Sequence, residues 1–325
     1  MKHFSTRMTF LLLFGALVTA CNVNPYASTN RSYKKQAKAY ARSLREAPLA
    51  TAAGQTYPQG DYWVGTTNFN MRKPNFVVIH HTAQNSTDQT LRTFTMPKTS
   101  VSAHYVIGRD GKVYHMLNDY LRAWHGGVGR WGNNTDLNSS SIGIELDNNG
   151  SEPFTETQIN SLLGVLDMLK KKHGIPTANF IGHSDIAPER KVDPSPAFPW
   201  KTLANHGFGL WYDEDVLDSV LVLTAAAPAA DSVALTDSTL SANAALLAAD
   251  TTLQEPPLVF QSVPVHKPVP DSFNPIEALR IIGYDTRNPA AAIRAFKLHF
   301  IQKDINQPLS EAEKKILYNL YKKYL

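Results

Sequence analysis

A histidine, a lysine and an aspartate within one short stretch of this chain could form a reactive site. His183 follows an apolar, strand-like run at 179–181, and a loop stiffened by Pro188 ends in Lys191 and Asp193. Residues two apart in an extended backbone point to the same side, so this loop can aim a cation and a carboxylate into the cleft that His183 faces. Histidine and aspartate are ordinary zinc ligands, and a catalytic zinc needs three protein ligands and one open position. The stretch therefore predicts a metal cleft that takes a third ligand and a proton-transfer group from elsewhere.

Candidates for the third ligand follow the apolar run 76–79, which is typical of a strand buried on both faces. The run ends in His80 and His81. Because successive strand side chains point to opposite faces, only one of the two can enter a given cleft. The end of a central strand is where α/β sheets place their sites, although either histidine alone could equally be a hydrogen-bonded core residue.

The run 141–146 supplies a candidate for proton transfer. Its isoleucine and leucine residues mark one strand face, and Gly143 and Glu145 lie on the other. An inward carboxylate is costly unless it is paired or functional, and a partly buried glutamate with a raised pKa is a natural general base beside a metal. The alternative is a surface glutamate on an edge strand.

Further elements lie between these runs. Strands are predicted at 102–107 and 113–116, joined by an Asp-Gly turn of the hairpin type. The next loop carries Trp124 and His125; an exposed tryptophan there could stack on a sugar or pack against the hairpin.

The best-defined helix is predicted to begin after Thr155, which forms a capping box with Gln158, and to end at Gly174. The lysines at 170–172 and His173 indicate a solvated helix end with no catalytic role. A strand at 180–182 then leads to His183.

Five blocks of sequence occur in order, at 76–83, 102–107, 123–127, 141–146 and 182–200. Together they resemble the zinc-dependent N-acetylmuramoyl-L-alanine amidases of the AmpD and AmiD type, over roughly residues 65 to 210. The resemblance implies an α/β fold with a mixed central β-sheet flanked by helices. It also implies hydrolysis of the amide bond between N-acetylmuramic acid, with its 1,6-anhydro form as a further candidate, and L-alanine of peptidoglycan stem peptides.

Carried over position by position, the resemblance makes His80, His183 and Asp193 the ligands of one Zn²⁺ ion. Glu145 becomes the general base, and Lys191 the cation that stabilises the oxyanion. Trp124 and His125 become candidates for substrate contact. A muropeptide-binding protein that keeps the fold without cleaving is the alternative function, and a surface-anchored structural tether is a third. The enzyme is favoured because all five positions carry chemically competent residues.

The N-terminus predicts export and lipid anchoring. Residues 1–20 have a basic start, a short apolar core and small final residues, as in a signal peptide. Cys21, the only cysteine, completes a sequence similar to a bacterial lipobox, with an ordinary signal peptide and a chance cysteine as the alternative. Asn22 favours the outer membrane, with the protein facing the periplasm. Residues 21–60 are interpreted as a spacer with a short basic helix, which could alternatively lie on anionic lipid.

The predicted organisation continues with a catalytic domain at 61–212, an acidic Ala/Thr/Pro-rich linker at 213–270, and a helical domain at 271–325. The segment 216–223 is predicted to form a short helix. Three capped helices at the C-terminus resemble a peptidoglycan-binding module; the alternative is a packing domain that never touches glycan. The net charge of +4, without basic-aromatic interleaving, argues against nucleic acid as a partner. The protein is expected to be a monomer that binds muropeptides and a membrane through Cys21.

Overall fold

The computed structural model describes four ranges of the chain, namely residues 24–45, 65–225, 258–264 and 268–325. The predicted signal peptide, Cys21 and the middle of the predicted linker lie outside these ranges. The chain divides into two compact units, residues 1–69 and residues 70–325.

The first unit contains helix α1, Ala27–Ser43, at the place where the sequence predicts a basic helix. None of its residues is buried, and its first turn carries no acidic residue. Among the described residues, no helix combines the length and the apolar character that crossing a membrane requires.

The second unit is built on a five-stranded sheet. The strands are β1 Phe76–His81, β2 Tyr105–Ile107, β3 Val113–His115, β4 Ser141–Leu146 and β5 Phe180–Gly182. Their order across the sheet is β3-β2-β4-β1-β5. Four strands run parallel, and β3 pairs antiparallel with β2, which confirms the predicted mixed sheet.

A second, two-stranded antiparallel sheet joins β6, Ser219–Ala225, to β7, Leu258–Pro264. The helix predicted at 216–223 is therefore wrong. A short 3-10 helix ends at Leu217 and the chain then extends into β6. The segment is rich in β-branched and leucine residues, and an apolar run of this length cannot be assigned to helix or strand by periodicity alone.

The α-helices of the second unit surround the sheet. These helices are α2 Thr87–Thr95, α3 Leu137–Ser140, α4 Glu156–His173, α5 His183–Ile186, α6 Trp200–Asn205, α7 Pro275–Ile282, α8 Pro289–Phe296 and α9 Glu311–Tyr324. The last three confirm the helices predicted at the C-terminus. Asn274, Asn288 and Ser310 cap the last three with their side chains, as their sequences predict.

Helices pack on both faces of the sheet. Val77 and Ile79 point into a core shared with Leu162 of α4, while Val78 between them points into a core shared with Leu279 of α7. The C-terminal helices thus bury the opposite face of the sheet from α4. The boundaries predicted at 212 and 271 stay predictions.

Only half of the capping box predicted for α4 forms. The Thr155 hydroxyl accepts from the Gln158 backbone N–H at 3.2 Å. The Gln158 side chain does not return to Thr155; it is buried and donates to the carbonyls of Ile107 and Asp147 at 3.0 and 3.2 Å. The Ile107 carbonyl also accepts from the Asp147 backbone N–H at 2.9 Å, so the Gln158 amide joins the ends of β2 and β4 to the start of α4 instead of closing the capping box.

The C-terminal end of α4 is less solvated than its sequence indicates. His173 is buried, and its Nε2 lies 3.0 Å from the carboxylate of Asp119. Lys172 Nζ and the Tyr105 hydroxyl donate to the same carboxylate at 2.7 and 2.8 Å. Burial alone would raise the pKa of Asp119, but these donors outweigh it and hold the pKa well below its usual value. The prediction of a solvated His173 is therefore wrong, because Asp119, distant in sequence, reaches it.

Candidate metal centre

The parallel strands bring the candidate residues to one edge of the sheet. His80 on β1 lies directly beside Glu145 on β4 in the parallel register. β5 borders β1 on its other side, and His183 is the first residue after β5. All three residues therefore stand at the carboxyl ends of adjacent strands, where α/β sheets place their sites.

The loop after α5 folds back to add Asp193. The Asp193 carbonyl accepts from the Ser184 backbone N–H at 2.8 Å, and the Ala187 carbonyl accepts from Arg190 and Lys191 at 3.1 and 3.0 Å. These backbone bonds close the loop, so the Asp193 carboxylate returns to His183.

Three buried atoms converge at this point. The Nδ1 atoms of His80 and His183 are 2.8 Å apart, and Asp193 Oδ2 lies 3.2 Å from the first and 3.0 Å from the second. All three residues are buried, and together they form a group that could hold a metal ion. The structure thus brings together the three residues that the sequence analysis proposes as ligands.

The hydrogen-bond partner of His183 assigns its tautomer. His183 Nε2 lies 3.1 Å from the carbonyl oxygen of Gly126. A carbonyl can only accept, so Nε2 carries a proton; in the neutral form of the ring, Nδ1 then keeps a free lone pair. Arg190 donates to the same carbonyl and to Val128 at 2.6 Å, and this fixes the loop that holds the acceptor.

The tautomer of His80 follows from a chain of three side chains. The Ser141 hydroxyl donates its one proton to the carbonyl of Leu137, so it must accept from His125 Nε2, 3.1 Å away. Burial, and then the neighbouring His80, hold the pKa of His125 well below its usual value, so the ring is neutral and its Nδ1 accepts. His80 Nε2, 3.0 Å from that nitrogen, is then the donor, and His80 Nδ1 keeps its lone pair.

The three converging atoms are therefore all acceptors, and this set fits a divalent cation. Two imidazole nitrogens and one carboxylate oxygen are ligands of the kind that catalytic zinc takes, with Nε2 of each ring hydrogen-bonded behind it. Burial, and then the closeness of His183, lower the pKa of His80 to about 4, so its ring is neutral at physiological pH. Metal binding needs neutral imidazole rings and an ionised carboxylate, and a neutral His80 meets the first of these requirements.

Glu145 stands next to this group without belonging to it. Its Oε1 lies 4.0 Å from His80 Nδ1, and its buried Oε2 has no hydrogen-bond partner among the described residues. Burial, and then the nearby Asp193, raise the pKa of Glu145 to about 8, while the half-buried Lys191 lowers it. A buried carboxylate oxygen without a partner is rare in folded proteins unless it has a task.

Gly143 makes room for the ring of His125. A Cβ at position 143 would lie 2.3 Å from His125 Cγ, far inside van der Waals contact. The Asn138 side chain holds the same loop by accepting from the backbone N–H groups of His125 and Gly126 at 3.1 and 2.8 Å. This support behind His80 is not predicted from the sequence. The available signal was a glycine that shares a strand face with Glu145.

The remaining candidates lie apart from the three converging atoms. Trp124 is 53% exposed, so its predicted contact with substrate stays a prediction, whereas the adjacent His125 is buried behind His80. His81 points to the other side of β1 and accepts from the Ser195 backbone N–H at 3.1 Å. His104 accepts from the Gly143 backbone N–H at 3.0 Å, so it supports β4 from the neighbouring segment.

Comparison with known proteins finds one family whose members resemble part of this chain. Residues 70–196 match the family described as N-acetylmuramoyl-L-alanine amidase. The chain is 37% identical over 153 residues to the N-acetylmuramoyl-L-alanine amidase AmiD of Escherichia coli K12. This match covers 42% of this chain and 54% of AmiD. It is 43% identical over 101 residues to the 1,6-anhydro-N-acetylmuramyl-L-alanine amidase AmpD of Enterobacter cloacae. That match covers 31% of this chain and 54% of AmpD. The chain thus spans about half the length of the curated relatives it matches.

The fold has a close solved counterpart. The structure of E. coli AmiD in complex with anhydro-N-acetylmuramic acid-L-Ala-D-γ-Glu-L-Lys superposes with a TM-score of 0.57 at 25% identity. The match covers 82% of this chain and 97% of that one. It therefore extends beyond the matched family region into the C-terminal half.

The role of His125 can be tested through metal affinity. We expect His125→Ala to weaken zinc binding by about 10–100-fold, because His80 Nε2–H loses its acceptor and the ring is free to turn. His125→Gln, whose amide oxygen can accept, should recover part of the loss. Competition with a chromophoric chelator measures both.

The matched control is His115→Ala, which removes a half-exposed histidine that stacks on Tyr105 away from the three converging atoms. If His125→Ala bound zinc as tightly as this control, the proposed orientation of His80 by His125 would be refuted.

Proposed function

We propose that this chain, whose residues 70–196 form an N-acetylmuramoyl-L-alanine amidase domain of the AmpD/AmiD type, cleaves the bond between N-acetylmuramic acid and L-alanine in peptidoglycan stem peptides. The observation that carries the proposal is the convergence of two imidazole nitrogens and a carboxylate beside Glu145, whose Oε2 has no hydrogen-bond partner in the part of the chain that the structure describes. The substrate class is supported by the anhydromuramyl peptide bound to E. coli AmiD. The products would be free stem peptide and glycan, as cell-wall turnover or recycling requires.

His80, His183 and Asp193 would hold one zinc ion. Amidases of this family are zinc-dependent in general, and the three residues form a group that could bind a metal. Bound zinc supplies Lewis acidity, which polarises a carbonyl and makes a nearby water more acidic. The ligand set keeps one negative charge, from Asp193.

Glu145 is the proton carrier in this proposal. In the ionised form of Glu145, Oε2, which has no hydrogen-bond partner among the described residues, accepts a proton from the attacking water. The resulting carboxylic acid then donates that proton to the leaving amine of L-alanine. A glutamate whose pKa is raised by burial holds the proton between these two events more readily than a solvated one. The Lys191 ammonium, which already acts electrostatically on Glu145, would stabilise the negative charge that develops on the amide oxygen.

The alternative function is a muropeptide-binding protein that does not cleave. Such a protein would need neither a proton acceptor nor the two free lone pairs. In this chain Glu145 and the two imidazole rings are present and buried, and hydrogen bonds behind the rings hold them in place, so the hydrolase is favoured.

We expect the soluble form of the protein to release free stem peptide from purified muropeptides, as read by mass spectrometry. A chelator should abolish the release and added zinc should restore it, because the three converging acceptors are useless for hydrolysis without a cation. Release that is insensitive to the chelator would exclude the zinc site. Binding of intact muropeptide without release would support the alternative function.

We expect Glu145→Ala to lower kcat by about 10²–10⁴-fold while zinc stays bound, because the residue moves the proton and is not one of the three ligands. Metal analysis and steady-state kinetics on the same sample separate the two effects. Glu156→Ala, an exposed glutamate at the start of α4, is the matched control and should keep full activity. Loss of zinc from Glu145→Ala would show that Glu145 is a ligand instead.

For localisation, we propose a lipoprotein of the outer membrane that faces the periplasm. The support is the lipobox-like sequence that ends in Cys21, followed by Asn22 instead of an aspartate. Acyl chains on Cys21 would anchor the protein, since stable anchoring takes more than one chain.

We expect the full-length protein to fractionate with outer membranes and Cys21→Ser to lose its lipid and become soluble. Metabolic labelling with a fatty acid and membrane fractionation measure this. A labelled Cys21→Ser variant would contradict lipidation at that residue. Recovery of the unaltered protein with inner membranes would contradict the outer-membrane assignment.

A further inference from the structure

The C-terminal helices contact the metal-ligand loop through Asp185, a fully buried residue of α5 two positions after His183. The Tyr284 hydroxyl donates to Asp185 Oδ1 at 2.8 Å. His299 Nδ1 lies 2.7 Å from Oδ2, and the Gly182 backbone N–H donates to the same oxygen at 2.7 Å. Two of these three donors come from the C-terminal region, about a hundred residues further along the chain.

These bonds form a completed polar network. A carboxylate accepts only, so His299 Nδ1 carries the proton that it shares with Asp185. Hydrogen bonds to a charged acceptor are stronger than neutral ones, and an unpaired buried carboxylate would be very costly. The loop therefore cannot leave this position without breaking contacts with the C-terminal helices.

An irregular turn places His299 at this position. Residues Lys297–Ile301 form a π-helical turn directly after α8, and such turns are rare and frequently mark functional sites. The His299 ring stacks on Trp200, with centroids 3.8 Å apart and planes 16° apart. The stacking and the turn together direct Nδ1 to Asp185.

Tyr284 is held equally tightly. The carbonyl of Gly283 accepts from the Gly132 backbone N–H at 2.7 Å, and a Cβ at position 283 would lie 2.5 Å from Trp131 Cε2. Trp131 in turn packs edge-on against the Tyr284 ring, with centroids 5.0 Å apart. The hydroxyl thus meets Asp185 from a fixed direction.

We propose that Tyr284 and His299 are positioning residues for the metal centre, and that the C-terminal helices hold α5 in place so that His183 meets His80 and Asp193. This inference rests on the proposed function. Metal ligands depend on the groups that orient them, and a displacement of about 0.5 Å is enough to impair a site. The C-terminal region is then a part of the catalytic unit, whatever it binds in addition.

The test compares Tyr284→Phe and His299→Leu with Asn319→Leu. Asn319 also joins a C-terminal helix to the rest of the second unit, through hydrogen bonds of 3.0 and 2.9 Å with Asp213, but it does not contact the metal-ligand loop. We expect the first two variants to bind zinc about tenfold more weakly and to lose about tenfold in kcat, with KM unchanged. The Asn319→Leu variant should lose thermal stability alone. His299→Asn, whose amide nitrogen can donate as Nδ1 does, should recover part of the zinc affinity.

Amide hydrogen exchange across residues 183–193 gives a readout that does not depend on metal. Exchange should rise in Tyr284→Phe and not in Asn319→Leu. Equal zinc affinity, kcat and exchange in Tyr284→Phe and Asn319→Leu would overturn the inference, because the network would then only dock the helices. If the unaltered protein neither bound zinc nor cleaved muropeptides while exchange still rose in Tyr284→Phe, the proposed function alone would fail.

Discussion

Lone pairs that repel one another lie at the centre of this protein. His80 Nδ1, His183 Nδ1 and Asp193 Oδ2 are held within 3.2 Å of one another, buried and without a donor between them. An unfolded chain would separate them, so the fold must supply the free energy that keeps them together. It does so from behind each ring, where Gly126 and His125 take the Nε2 protons. A cation converts this repulsion into attraction, which is why the arrangement suits a metal and little else.

The sheet, the helices on its two faces and the loop after α5 together hold these three atoms in place. Adjacent parallel strands set His80, Glu145 and His183 side by side at one sheet edge. Helix α4 covers one face of the sheet and the C-terminal helices cover the other, so the strands cannot shift without opening a core. The loop that carries Asp193 is closed by its own backbone bonds. Because both faces of the sheet are packed, the side chains at its edge keep fixed positions relative to one another.

The sequence was informative wherever a signal was local. The strand before His80, the alternation around Glu145 and the caps of the C-terminal helices could all be read from residues a few positions apart, because periodicity and capping act over that range. Contacts between distant residues could not be read in this way. Asp119 contacts the buried His173, which lies 54 positions away in the sequence, and His125 contacts His80, which lies 45 positions away. The contact of Tyr284 with Asp185 joins two regions that the sequence analysis assigned to different domains, and no pattern along the chain encodes such a meeting.

Gly143 connects the register of β4 with the position of the His125 ring, which lies against it. The His125 ring occupies the space that a side chain at position 143 would fill, and the Gly143 backbone N–H is itself bonded to His104. A slip of β4 by one residue would bring Ile142 or Ile144 under that ring and expel it. A sheet with β4 out of register would therefore not leave His125 in the position where its Nδ1 accepts from His80 Nε2. The register of β4 and the support behind the candidate ligand His80 therefore depend on the same position, so a misregistered molecule would lose that support as well as stability.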